Sequence, residues 1–470
     1  MQFKSNKLII ENANPFKNDT LNRKPHISNF ASLLENISTP IVLSVNAPWG
    51  HGKTTFLEML NAQLQNQECN SIYFSAWETD FASDPLLAFL GEINQKIESI
   101  INGDIKKTKA WNKTKKAGMH LLKKGIPAAI KVDTAGILDV DKIIEAESSK
   151  VMEGLSKDFL GDYIKNKNVI SQFKDGVSKV LSNDGSPVTK LFVIVDELDR
   201  CRPTYAIELL ERIKHLLDIE GLVFVLAMDK IQLAHSVKGV YGTEFEALGY
   251  LRRFIDIEYT LPESSLEEFI EQLFINFGFN DFFKKRMKYE VFQDDKENLK
   301  ASLKLLANAR KLSLREVEQL FSKINLVIHS TPENTHLYPS LLAFLIFVKE
   351  YHHESYSKYV DKNGTPDELI GILYSIFPEV VRIEEKACLL IEAYLIGAKR
   401  DRFSNSLGSS LNRHEIIKNA NADSPEVINY SNDVINQSAK FWGYRDSIDL
   451  NGLKQRIELV DSFNFGVKES

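Results

Sequence analysis

The chain has 470 residues, 43% of them hydrophobic and 26% charged, which is enough apolar sequence for two or three packed domains and excludes a disordered or collagen-like chain. Acidic residues outnumber basic ones by 64 to 58, and the net charge of −6 argues against a whole-surface affinity for nucleic acid. Three widely separated cysteines, Cys69, Cys201 and Cys388, suggest neither a disulfide framework nor a zinc site, so a reducing cytoplasm is the expected setting. The start lacks a secretory apolar core, and no run of about 18 apolar residues predicts a transmembrane segment.

In chain order, "PIVLSV" (40–45) is a β-rich apolar run. A glycine-containing loop follows, then "KTTFLEMLNAQL" with Phe56, Leu57, Leu60 and Leu64 at helical spacing. "SIYFSAW" (71–77) is a short buried strand, and Ser83 or Asp84 is placed to cap a helix with Pro85 in its first position. From about 103 to 185 a polar, lysine-rich insert interrupts the pattern. "KLFVIVDELDRC" (190–201) is a continuous apolar strand ending in acids, as in the middle of a parallel sheet. A helix with Ala206, Leu209, Leu210, Ile213, Leu216 and Leu217 on one face follows, then the buried strand "GLVFVLAMD" (221–229).

This alternation predicts an α/β domain with a mainly parallel sheet flanked by helices over residues 1–262. Beyond it, 3.6-period apolar faces predict an all-helical lid at 263–330 and a C-terminal helical domain at 331–470, with "LLAFLIFV" (341–348) as a buried helix. The adjacent histidines of "YHHES" (351–355) would point different ways on a helix, which makes a metal site there unattractive.

The loop "APWGHGKTT" (47–55) has the parts a triphosphate requires. These are backbone N–H groups turned inward at a helix start, a lysine for the β and γ oxygens, and a hydroxyl for magnesium. Pro48, Trp49, Gly50, His51, Gly52, Lys53, Thr54 and Thr55 are therefore the expected nucleotide-binding residues, with Lys53 as the cation and Thr54 as a Mg²⁺ ligand. Ala47 stands where such loops usually carry glycine. Alanine serves there if its φ is negative, and Pro48 biases it toward extended backbone.

The strand "LFVIVDE" supplies the second half: Asp196 emerges at its C-terminal end as a magnesium ligand through water, and Glu197 is placed to polarise the attacking water. Asp229, ending the next strand, is either a sensor of the γ-phosphate or an ordinary strand-end acid. Arg315 in the presumed lid is a second sensor candidate, and Arg252 and Arg253 are either arginine fingers for a neighbouring subunit or a solvated pair. The reaction these residues suggest is Mg²⁺-dependent hydrolysis of ATP, favoured over GTP because no Asn-Lys-x-Asp motif is present. A nucleotide-binding switch without turnover is the alternative.

At "APWGHGKTT" and "VDELDRCRP" the chain resembles the KAP family of P-loop NTPases, a branch of the STAND class allied to AAA+ enzymes. "FSAWETDFASDPLLAFL", "GLVFVLAMDKIQL" and "YLRRFIDIEYTLP" resemble further blocks of that family, and the likeness runs over about 15–330. The resemblance marks Asp199, Arg200 and Cys201 as family-pattern residues and places 18–37 near the adenine. It implies coupling of nucleotide state to conformation or assembly, protein partners or self-assembly, and a role in prokaryotic defence against phages or mobile elements.

Many relatives carry transmembrane helices between the two nucleotide motifs, whereas this insert is lysine-rich at 106–116 and only weakly apolar at 125–138. Three readings of 106–143 stand open: a solvated or partner-docking helix, a surface for anionic membrane, or a nucleic-acid contact. The stacking aromatics of a single-strand binder are nearly missing, with only Trp111 in the basic part.

Overall fold

The computed structural model describes residues 9–38, 40–82, 85–121, 171–182, 188–214, 218–262, 265–361, 364–399, 409–421, 423–442 and 448–459. The caps expected at Ser83 and Asp84, Leu216 and Leu217, and 122–143 of the insert lie outside these residues. The chain divides into two compact units, Leu8–Glu263 and Ser264–Ser470 together with the first seven residues.

The first unit is built on five parallel strands, β1 (Ile41–Asn46), β2 (Asn70–Ser75), β3 (Leu191–Asp196), β4 (Leu222–Met228) and β5 (Ile257–Thr260), in the order β2-β3-β4-β1-β5. Every residue of β3 and β4 is buried. That explains their unbroken apolar runs, since a strand covered on both faces has no use for polar alternation. Alternate residues separate into two cores. Val193, Val195, Phe224 and Leu226 face one side, with helices α3 (Pro85–Ile101) and α6 (Pro203–Lys214). Phe192, Ile194, Val223 and Val225 face the other, with α1 (Lys24–Asn36) and α2 (Lys53–Asn66). Fully burying one such aromatic or branched side chain contributes about 1.5–3 kcal/mol, an upper bound against a compact unfolded chain.

The parallel arrangement brings the strands' C-terminal ends to one edge of the sheet: Asn46 registers with Met228, and Ser75 with Asp196. Because β4 lies between β1 and β3, the loop after β1 and the acids after β3 flank the end of β4.

Both described ends of the insert pack into this unit. On α4 (Ile105–Leu121), Trp111 is buried and its Nε1 donates to Asn94 Oδ1 at 2.8 Å. The one aromatic of the basic segment is thus unavailable for base stacking. Helical residues 171–181, here α5, add Phe173, Val177, Val180 and Leu181 to the same core. They approach α4 so closely that a Cβ on Gly176 would lie 1.7 Å from Thr114 Oγ1. Lys106, Lys109, Lys113 and Lys116 remain exposed.

The second unit is helical throughout its described length, and one apolar core runs through it from Ile270 to Ile457. Residues 341–348 are all buried within the helix Pro339–Tyr351. No helix among the described residues is long and apolar enough to cross a membrane.

Candidate nucleotide site

The loop between β1 and α2 is shaped by two glycines, Gly50 at φ 79° and Gly52 at φ 81°. These left-handed values are ones that residues with a Cβ avoid. Ala47 does not share that conformation. It continues the strand's pairing, its N–H donating to Met228 O at 3.3 Å, and its methyl is buried in the core around Phe56 and Leu57. The substitution is thus compatible with the fold of the loop. Helix α2 begins at Gly52 with no side chain capping its first turn. Its leading N–H groups and the positive end of its dipole face the loop, the ordinary condition for an anion site.

Lys53 is 9% exposed. Its Nζ donates to Ala47 O at 2.6 Å and Pro48 O at 3.3 Å, and lies 3.7 Å from Asp199 Oδ2. Burial lowers its pKa from the ordinary lysine value, opposed by the charges of Asp199, Asp229 and Asp196. Thr54 and Thr55 are half-buried at the head of α2. Within the loop, His51 Nδ1 lies 3.2 Å from Trp49 O. The far side of the loop is held by Arg23, whose guanidinium donates to His51 O at 3.4 Å and also to Pro262 O beyond β5.

Asp196 is buried at the end of β3. Tyr73 OH donates to its Oδ2 at 2.7 Å, and the backbone N–H of Glu197 to its Oδ1 at 2.7 Å. Each oxygen keeps a second lone pair for a cation or its water. Burial, then the Asp196 charge, raises the Tyr73 pKa, so the phenol keeps its proton.

Glu197 turns the chain off the strand in a left-handed conformation, φ 59°, at a cost on the order of 1 kcal/mol. Ser75 Oγ donates to its Oε2 at 2.8 Å, and Arg200 Nη1 lies 2.7 Å from its Oε1. Arg200 also sits over the exposed Trp77 ring, 5.8 Å from its centroid.

Asp229 ends β4, and its Oδ1 accepts from the N–H groups of Ile231 and Gln232, capping α7 (Lys230–Tyr241). Arg252 and Arg253 are exposed after α8 (Ala247–Leu251). Arg315 is exposed on the helix Leu314–His329 of the second unit.

The expected residues of the loop, α2 and the ends of β3 and β4 therefore converge at one sheet edge. Tyr73 and Ser75 have no signal of their own in the sequence, and Asp199 is marked there only as a family-pattern residue without a role. Tyr73 and Ser75 lie on a strand whose sequence reads only as apolar, although their period-2 spacing beside Ser71 puts them on one face. Asp199 follows the acidic pair on a single 3₁₀ turn, Leu198–Arg200. Its side chain is 1% exposed, and its Oδ2 accepts from Trp49 Nε1 at 2.7 Å and from Asp229 N at 2.8 Å. Cys201 packs below, its thiol pushed up to about 12 by burial and neighbouring acids, which makes it a poor nucleophile at neutral pH.

A strand–loop–helix with a buried lysine in the loop, facing carboxylates on a parallel neighbour one strand away, defines a P-loop nucleotide-binding domain. The chain belongs to the KAP family: the model of the KAP family P-loop domain matches residues 23–329. No curated protein matches the chain. Among solved structures it is similar to the Aeropyrum pernix ORC1 protein in complex with DNA, at 11% identity over 93% of this chain and 92% of that one, TM-score 0.30. It is also similar to the ORC2 protein of the same organism in ADPNP–ADP complexes, at 12% identity over 80% and 95% of the two chains, TM-score 0.29. Likenesses this distant leave the assignment to the family match, the strand order and the loop.

Proposed function

We propose that the protein hydrolyses ATP with Mg²⁺ at the loop 47–55. The observation that carries this reading is the placement of Lys53 directly after a loop turned by Gly50 and Gly52, with the charge of Asp196 acting on its ammonium. In it, the N–H groups of residues 50–55 and Lys53 bind the phosphates, and Thr54 and Asp196 hold the magnesium. The ion would neutralise charge on the β and γ oxygens. Tyr73 fixes the rotamer of Asp196, while Ser75 and Arg200 fix that of Glu197, which orients the attacking water. Asp229 supports the site by capping α7. The account predicts that ATP binding, followed by equilibrium dialysis with Mg²⁺, is lost in Lys53→Ala and kept in Glu197→Gln; equal binding by wild type and Lys53→Ala would rule the site out.

A second reading, a switch that binds ATP with little turnover, is favoured by one observation. Glu197 Oε1 lies 2.7 Å from the Arg200 guanidinium, a charged partner with which an attacking water must compete. The nucleotide cycle then serves conformation or assembly with protein partners. The defence role that the family resemblance implies predicts that cells carrying the intact protein and its genomic neighbours form fewer phage plaques than a Lys53→Ala strain. Equal plaque counts would remove it.

A further inference from the structure

Asp199 has no part in the scheme above, yet it has three polar partners at the site. Its Oδ2 joins three elements at once: the loop through Trp49 Nε1 at 2.7 Å, the end of β4 through Asp229 N at 2.8 Å, and the head of α2 through the Lys53 ammonium at 3.7 Å. A carboxylate 1% exposed with two fixed N–H donors cannot swing away, so its charge is held at a fixed distance from the lysine. Asp196, Asp229 and Arg200 are the other charges acting on that ammonium, and none of them forms an ion pair with it within 4.0 Å.

We infer that Asp199 is a positioning residue that sets nucleotide affinity: it is the internal counter-ion of the Lys53 ammonium, which the Ala47 and Pro48 carbonyls also hold, and a polyphosphate must compete with it for the lysine in order to bind. The inference rests on the nucleotide-site reading and deepens it. A carboxylate beside the lysine raises the free energy of the bound anion by repulsion and lowers that of the free site by attraction. Both effects weaken binding, which leaves a site that releases nucleotide readily. Trp49 and the Asp229 N–H share the carboxylate's charge and keep it from closing fully on the lysine.

The sign of the mutational effect separates this role from scaffolding. In the full-length protein, Asp199→Asn keeps an acceptor for Trp49 and Asp229 while removing the charge. It is expected to bind ATP and ADP about tenfold tighter than wild type, the scale of one charged contact. Asp199→Ala gives the same direction if the amide disturbs folding, which thermal melting reports. Trp49→Phe, which leaves the carboxylate with one donor fewer, strengthens its hold on Lys53 and weakens binding. A scaffolding role would weaken binding in all three. Unchanged or weaker binding in Asp199→Asn or Asp199→Ala, or tighter binding in Trp49→Phe, overturns the inference while Lys53→Ala still abolishes binding. If Lys53→Ala binds like wild type, the underlying site reading fails instead.

Discussion

Glu197 illustrates how much of this site is settled by single hydrogen bonds. The same two contacts that fix its orientation, from Ser75 and Arg200, take one lone pair on each oxygen, and the Arg200 charge competes with an attacking water for the glutamate. Arg200 is the partner with access to solvent, its side chain 39% exposed beside Trp77. Arg200→Ala is therefore predicted to raise steady-state ATP turnover several-fold with no change in ATP affinity, measured as kcat against binding Kd. A fall in kcat would mean that Arg200 orients the glutamate productively. Ser75→Ala removes a buried partner and is predicted to lower the melting temperature, by a loss of about 1–3 kcal/mol.

At the scale of elements, the loop and the packing of α5 on α4 are the informative pieces. Ala47 is buried with a strand-like hydrogen bond, so Ala47→Gly is predicted to leave ATP binding within about twofold and to cost about 0.5–1 kcal/mol in backbone entropy, read by denaturant unfolding. A large gain in affinity would show that alanine limits the site. Gly176→Ala pushes a methyl into Thr114 and the Ala110 carbonyl, and should destabilise the protein by about 1–3 kcal/mol. Strands β1 to β4 and the phosphate loop were legible in the sequence because their signals are local: apolar runs, turn glycines and a lysine at fixed spacing; the short, mostly exposed β5 has no such run. Trp111 in the core, Tyr73 on Asp196 and Trp49 on Asp199 were not, since each joins residues separated by 17, 123 or 150 positions. No periodicity encodes such a pair. Asp229 was legible only as an acid at a strand end, and its helix-capping bonds depend on the turn that follows β4.

At the scale of the whole molecule, the helical unit carries its own polar centre. Glu392 is fully buried and accepts from Tyr374 OH at 2.6 Å, Tyr430 OH at 2.5 Å and His414 Nε2 at 3.1 Å. It thereby ties together the helices Asp367–Ile376, Lys386–Ala398, Ser409–Ala420 and Pro425–Ala439. Burial pushes its pKa up, but the three hydrogen bonds and the His414 charge outweigh burial and leave it below the ordinary glutamate value. A depressed carboxylate stabilises the fold above its unfolded pKa, and that contribution disappears as the pH falls through the folded one. The melting temperature of the full chain should drop on acidification below about pH 4. Glu392→Gln should lose on the order of 3 kcal/mol at neutral pH and flatten that acid limb. An unchanged acid limb in Glu392→Gln would assign it to other groups. The central claim, that the P-loop unit turns over ATP, is tested most directly by steady-state phosphate release from purified wild type and Glu197→Gln with Mg²⁺ and saturating ATP. The account predicts release by wild type and its loss in a Glu197→Gln protein that still binds ATP; equal release by both, or none from a wild type that binds ATP, would contradict it.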